Sequence, residues 1–273
     1  MTTLVLSPKG DQIAAMLGIS SGQLNDVWIY NLPKNSKTKV TFDQRSFYPV
    51  WSPDGKQIAF DRGKPDGYEL VIKDISGGGS EQVVFKEKDR ALPLAWSPDG
   101  NYLFYRLGLV TGEIKALSLT GERKSVSLLT TRLGWAGMSL SPDGKWLTYV
   151  SDDSGLPEVY VVPIRLTANG PGIGGGKWQV SNGGGTSPVW RQDGRELFYV
   201  SIAGTGLVSV RINSAGDRFD SGPPEYLFDL EAHPTGFFYA PSRDGQKIYM
   251  ATYGPGSSAP ITVTVNWQGL LKK

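Results

Sequence analysis

Large apolar residues recur along this chain at fixed offsets behind a short polar turn. Six segments align: Leu6-Ser-Pro-Lys-Gly10, Trp51-Ser-Pro-Asp-Gly55, Trp96-Ser-Pro-Asp-Gly100, Leu140-Ser-Pro-Asp-Gly144, Trp190-Arg-Gln-Asp-Gly194 and Pro241-Ser-Arg-Asp-Gly245. Their glycines lie 45, 45, 44, 50 and 51 residues apart. Three and five residues after the turn glycine come pairs such as Ile58 and Phe60, Leu103 and Tyr105, Leu147 and Tyr149, Leu197 and Tyr199, and Ile248 and Met250. The residue between them is mostly apolar as well (Ala59, Phe104, Phe198, Tyr249), so both faces of each strand expect cover. A third strand is expected at Val27–Leu32, Tyr68–Ile72, Glu158–Val162 and Ile261–Val265. A more polar fourth is expected at Lys37–Thr41, Glu81–Phe85 and Lys177–Ser181.

A repeat of about 45 residues holds one four-stranded antiparallel unit. Sheets covered on both faces in every repeat must stack on each other, and neither terminus offers the polar cap that a solenoid needs. The fold expected is all-β, a six-bladed β-propeller in a single domain over residues 1–273. Its blades are placed at about 1–43, 44–87, 88–131, 132–182, 183–230 and 231–273. The last blade offers only three strands, Gly236–Ala240, Gln246–Tyr253 and Ile261–Trp267, for 23 strands in all. Three closures fit: a three-stranded last blade, a stub from 268–273, or a strand from a longer parent protein, which is the one expected.

Composition agrees with many short strands and tight turns, with 35 Gly and 18 Pro among 273 residues. There is no Cys and one His, which excludes thiol catalysis and zinc–thiolate sites. A net charge of +2 gives no basic face for nucleic acid, and no apolar run is long enough to span a membrane. The first residues show no charged-then-apolar leader. The location expected is cytoplasmic for the chain alone, and outside the inner membrane if it is part of a membrane protein.

The Trp-Ser-Pro-Asp-Gly-Lys-x-Ile-Ala-Phe unit, with Thr41-Phe42-Asp43 and Val27-Trp-Ile-Tyr-Asn-Leu32, resembles the WD40-like repeat of TolB-type β-propellers over essentially the whole chain. The ending Ala259–Lys273 and the segment Gly176–Gly185 are similar to the C-terminal propeller of bacterial membrane-anchored serine/threonine kinases. That resemblance implies a sensor propeller whose kinase domain and membrane helix lie outside this chain. No kinase motif is present, so no kinase activity is expected of these residues.

Several motifs invite chemistry and fail on context. Gly18-Ile-Ser-Ser-Gly22 has the nucleophile-elbow spacing but sits in a hairpin loop without a base or acid. Gly170–Lys177 lacks a phosphate-loop glycine at Pro171 and carries Trp178 after the Lys, so it is expected to be a hairpin loop. Asp54, Asp99, Asp143, Asp193 and Asp244 fall one per blade, too far apart for one ion, and are expected to form turns. Asp152, Asp153 and Glu158 are expected to be a solvated loop rather than a calcium site. Trp51, Trp96 and Trp190 share one offset, which points to packing between blades, whereas Trp135 has no counterpart.

The loops that lead into the innermost strands converge on one channel mouth. They carry Arg45, Arg90 and Arg132, interleaved with Phe47, Tyr48, Trp135 and His233. Guanidiniums among aromatics suit a protein, a peptide or a small anionic ligand. The competing expectation is that each Arg pairs with an acid such as Asp43 or Asp89. No cofactor or metal is expected, the chain is expected to be monomeric, and the function expected is binding without catalysis. The alternatives are a hydrolase or lyase using Asp61, Asp66, Asp152 and Asp153, or an accessory propeller gating a peptidase.

Overall fold

The computed structural model describes residues 4–18, 24–77, 79–108, 112–133, 137–167, 170–203, 206–214, 216, 218–230, 239–251 and 261–265. Its 24 strands form six antiparallel sheets. The first holds β1 (Leu4–Leu6), β2 (Gln12–Gly18), β3 (Asn25–Asn31) and β4 (Ser36–Lys39). The second holds β5 (Ser46–Trp51), β6 (Gln57–Lys64), β7 (Gly67–Asp74) and β8 (Glu81–Glu87). The third holds β9 (Ala91–Trp96), β10 (Tyr102–Leu107), β11 (Gly112–Ser118) and β12 (Ser125–Thr131). In the fourth are β13 (Met138–Leu140), β14 (Trp146–Ser151), β15 (Glu158–Thr167), β16 (Gly170–Ile173) and β17 (Trp178–Gln179). The fifth has β18 (Gly185–Trp190), β19 (Glu196–Ser201), β20 (Gly206–Arg211) and β21 (Glu225–Asp229), and the sixth β22 (Tyr239–Pro241), β23 (Lys247–Ala251) and β24 (Ile261–Val265).

Among the described residues, five sheets are therefore full blades of at least four strands, and the last carries three. Six blades are expected from the sequence pattern, the last with three strands, and five complete ones are found. The first strands β1, β5, β9, β13, β18 and β22 touch in sequence, and β22 touches β1, so the sheets stand in a closed ring. Connections between a sheet's first and second, and third and fourth, strands lie at one end, called here the lower face. Those between second and third strands, and between sheets, lie at the upper face.

The apolar offsets explain the stacking. The position four residues after the turn glycine faces the following blade, and those three and five after face the preceding one. Ala59 thus packs with Leu103 and Tyr105, and Phe198 with Tyr239 and Ile248. The last and first sheets close through Leu4, Leu6, Ile13, Ala240 and Tyr249. Burying both faces of each sheet supplies the main drive for the fold.

Each turn works as its residue types require. Ser52 Oγ donates to Asp54 Oδ1 at 2.6 Å while Lys56 N donates to the same oxygen, and the Ser97, Ser141 and Ser242 turns repeat the arrangement. The turn carboxylates are occupied as turn formers. Trp51 Nε1 donates to Val5 O at 3.0 Å and Trp190 Nε1 to Thr148 Oγ1 at 2.7 Å, each into the preceding blade.

One segment departs from expectation. Gly170–Ile173 is the strand β16, not a loop, pairing with Ile164–Thr167 at the outer end of β15. Ile164 and Ile173 pack against Tyr102, Leu128 and Leu129 of the third blade, and that apolar contact outweighs the turn character of the Gly-Pro-Gly sequence.

Candidate functional site

The upper face gathers part of the expected mouth, between blades two and three. β5 pairs with β6 through Phe47↔Asp61 and then Val50↔Ala59, so two residues, Tyr48 and Pro49, oppose one. This bulge holds Tyr48 at φ +51°, a left-handed conformation rarely adopted by a residue with a side chain. Ser187, the equivalent residue before Pro188 in β18, sits at +54°. In β5 the bulge turns Phe47 and Tyr48 toward Arg90, which immediately precedes β9.

The Arg90 guanidinium lies 4.2 Å from the Phe47 ring centre, 5.2 Å from Tyr48 and 5.5 Å from Tyr68. Its Nε donates to Asp61 Oδ2 at 2.8 Å. Asp61 stands six residues after its turn glycine, where Met16, Val150 and Val200 stand in other blades. That column faces the next blade, so the ion pair joins blades two and three. Arg106 holds the same position in blade three. Asp61 is 0 % exposed and Arg106 7 %. Asp61 Oδ1, Arg90 Nη2 and Arg106 Nε are buried without a hydrogen-bond partner among the described residues.

Burial pushes the Asp61 carboxyl up to about 7, against the opposing pull of Arg90 and Arg106. Burial also lowers the Arg106 guanidinium and raises the Tyr48 phenol. A buried charged group flanked by unsatisfied donors is costly, so this cluster is a strained polar site between two blades.

The other expected mouth residues fall elsewhere. Arg45 is exposed, with its main chain bridged to Asn25. Arg132 is exposed in a separate recess of about 370 Å³ with Tyr149, Ser151, Asp152 and Asp153. Trp135, His233 and Ser20 lie outside the described residues. The pairing with Asp43 or Asp89 is corrected: Arg90 takes Asp61, while Asp43 pairs with Arg62 at 2.5 Å. Position in the chain hides this, because Asp61 reaches Arg90 across an interface between blades.

Among the alternative carboxylates, Asp66 is exposed on a turn and Asp153 pairs with Lys177. Glu158 accepts from Ser181 Oγ and from Gly184 N, so it too is committed locally. No group of three carboxylates or imidazoles is placed to hold a metal among the described residues. Sequence reasoning missed Arg106 and Tyr68. The signal for Arg106 was a charged residue in a column of apolar ones.

The TolB beta propeller domain family matches residues 33–218. The chain is 32% identical over 127 residues to the uncharacterized peptidase YuxL of Bacillus subtilis, covering 45% of this chain and 18% of that protein. It is 27% identical over 180 residues to the uncharacterized protein Atu1656 of Agrobacterium fabrum, covering 63% and 61%. The chain thus spans less than two thirds of either relative. The crystal structure of TolB from Acinetobacter baumannii superposes with a TM-score of 0.75 at 19% identity, over 94% of this chain and 61% of that one. An oligogalacturonate lyase in complex with manganese superposes at 0.63 and 11% identity, over 99% and 90%. Both structural likenesses concern the fold.

Proposed function

The chain belongs to the TolB beta propeller domain family, and we propose that it is a binding propeller without catalysis of its own. It takes a protein, a peptide or a small anionic ligand at the upper mouth, as the sensor or interaction module of a larger bacterial signalling protein. In this reading the three-stranded sheet is the sixth blade, completed from outside the chain. The observation that carries the proposal is Arg90 held among Phe47, Tyr48 and Tyr68 by Asp61 from the neighbouring blade. A guanidinium fixed from below and walled by rings is preorganised for an anion. Against a hydrolase or lyase stands the placement of Asp61, whose carboxyl is wholly covered and so out of a substrate's reach. The kinase-sensor version rests on the resemblance of Gly176–Gly185 and of Ala259–Lys273, of which latter segment only Ile261–Val265 is described.

The test is thermal unfolding with acidic peptides, sugar phosphates and cell-wall fragments. A ligand at about 100 times its Kd stabilises by about 2.7 kcal/mol, which raises the midpoint by roughly 5–10 °C. Combining Arg45→Ala, Arg90→Lys and Arg132→Ala abolishes that shift. An unchanged shift overturns the anion reading, and a flat screen moves the weight to a protein partner. The YuxL match supports a second reading, an accessory propeller gating a peptidase. Its discriminating observation is a hydrolase domain encoded beside this one.

A further inference from the structure

Equivalent turns allow each one to be judged against the others, and the fifth is the outlier. Where other blades open the turn with Ser and mostly follow it with Pro, blade five has Arg191 and Gln192. Arg191 forks onto Asp193 with Nε–Oδ1 2.7 Å and Nη2–Oδ2 2.8 Å, and its Nη1 reaches Glu196. The next cross-strand pair departs as well: Glu196 faces Arg211, where blades one to three place Gln12 with Asn31, Gln57 with Asp74, and Tyr102 with Ser118.

These departures line one cleft on the lower face. It measures about 930 Å³, lies between the turns of blades four and five, and is bounded on its outer side by Arg211, Asn213 and Ser214. That volume is within the range of small-molecule sites and far exceeds a single oxyanion.

The cleft sets three guanidiniums against three carboxylates, and among the described residues only Arg191 of the three guanidiniums is held in ion pairs. Asp143 is held by Ser141 Oγ and Lys145 N, and Asp193 and Glu196 are held by Arg191. The exposed Arg195 and Arg211 guanidiniums make no ion pair among the described residues. Two lining side chains also keep unspent hydrogen-bonding atoms, Gln192 Oε1 as acceptor and Trp146 Nε1 as donor, both buried. Trp146 is 2 % exposed.

We infer that this lower cleft is a second binding site, for a sugar-sized solute bearing one phosphate or carboxylate. The anionic group bridges Arg195 and Arg211, and a hydroxyl-rich body faces Gln192, Asn213 and Ser214. Guanidiniums favour such oxyanions through paired N–H donors, and neutral amides and hydroxyls suit a polyol. The site is on the opposite face from the upper mouth and does not depend on it.

The test is isothermal titration of the whole chain with glucose 6-phosphate, glucuronate, glucose and inorganic phosphate. Both anionic sugars bind, and the tighter of the two identifies the preferred acid group. Glucose and inorganic phosphate each bind at least about tenfold more weakly, since each lacks half of the recognised chemistry. Arg195→Gln with Arg211→Gln weakens both anionic sugars by about tenfold or more. Both side chains are exposed, and Arg211→Gln alone gives a smaller loss in the same direction. Arg45→Ala with Arg132→Ala leaves the titration unchanged. No binding of either anionic sugar, equal binding of glucose or of phosphate, or full affinity in the double Gln variant overturns the proposal. Loss of binding in the Arg45, Arg132 variant overturns it as well and moves the anion to the upper face.

Discussion

Gln192 Nε2 donates to the main-chain oxygen of Ser7 at 2.8 Å, joining the turn of the fifth blade to that of the first across 185 positions of sequence. Most neighbouring turns on the lower face meet through a proline or arginine set against a glycine. A Cβ on Gly55 would lie 3.7 Å from Pro8, on Gly144 2.6 Å from Pro98, and on Gly194 3.9 Å from Pro142. The series continues from Arg191 to Gly245 and from Arg243 to Gly10, and it breaks at Gly100, where a Cβ would meet nothing within 4 Å. Gln192, standing where four other turns have Pro, makes no such contact and reaches the turn of the first blade instead.

This placement sets the order of two substitutions. Gln192→Ala removes one hydrogen bond to an oxygen that Gly10 N also satisfies, and also removes a buried oxygen without a partner. It therefore costs less than about 1 kcal/mol. Gln192→Glu replaces the donor with a carboxylate facing a carbonyl and costs about 1–3 kcal/mol more. Urea denaturation gives the order, and a Glu variant as stable as the Ala variant counts against the bridge.

The turn glycines differ in the same measurable way. Gly100 and Gly144 have φ of +75° and +72°, so alanine strains either by a similar amount. A Cβ at Gly100 meets nothing within 4 Å, whereas at Gly144 it meets Pro98 Cδ at 2.6 Å. Gly144→Ala should lower the midpoint further than Gly100→Ala, by an extra 1–3 kcal/mol or so. Equal shifts in calorimetry would show that Pro98 moves aside freely.

The three repeated tryptophans separate by their indole N–H. Trp190→Phe leaves the Thr148 hydroxyl, 0 % exposed, without its donor, and Trp51→Phe withdraws a donor from Val5 O. Trp96 Nε1 is buried without a partner among the described residues, so Trp96→Phe loses ring area and gains relief of an unsatisfied donor. The first two variants should unfold about 1 kcal/mol sooner than the third, a gap of roughly 2–4 °C.

The repeat was legible because close packing on both faces leaves little freedom at the offsets after each glycine. Ile58, Leu103 and Leu197 are all 0 % exposed, and the tryptophans pack between blades as their shared offset implies. β16 was hidden because Gly170, Pro171 and Gly172 have turn propensities, and only the third blade's Tyr102 and Leu128 make a strand worthwhile there. In the candidate site, Phe47, Tyr48 and Arg90 were legible as a cluster. Asp61 reads in the sequence only as a candidate carboxylate alongside Asp66, with nothing to mark it as buried. Its true neighbour comes from the next repeat, a relation that spacing within one repeat does not carry.

Asp61 also fixes a pH dependence. Its carboxyl rises from 3.8 to about 7 in the folded protein because burial outweighs the pull of Arg90. The folded state then binds this proton more tightly than the unfolded one. Its contribution to stability is fully present below 3.8 and is lost as pH rises through about 7. Asp61→Asn keeps the shape and an acceptor for Arg90 but cannot titrate, so its unfolding midpoint should fall less between pH 5 and pH 8, values chosen to bracket roughly the upper part of that window. Asp61→Leu, by contrast, strands the Arg90 guanidinium and costs about 3–5 kcal/mol at neutral pH, most of it recovered when Arg90→Leu is added. Parallel pH profiles for the native chain and the Asn variant would mean that Asp61 keeps an ordinary carboxyl affinity, with Arg90 dominating over burial.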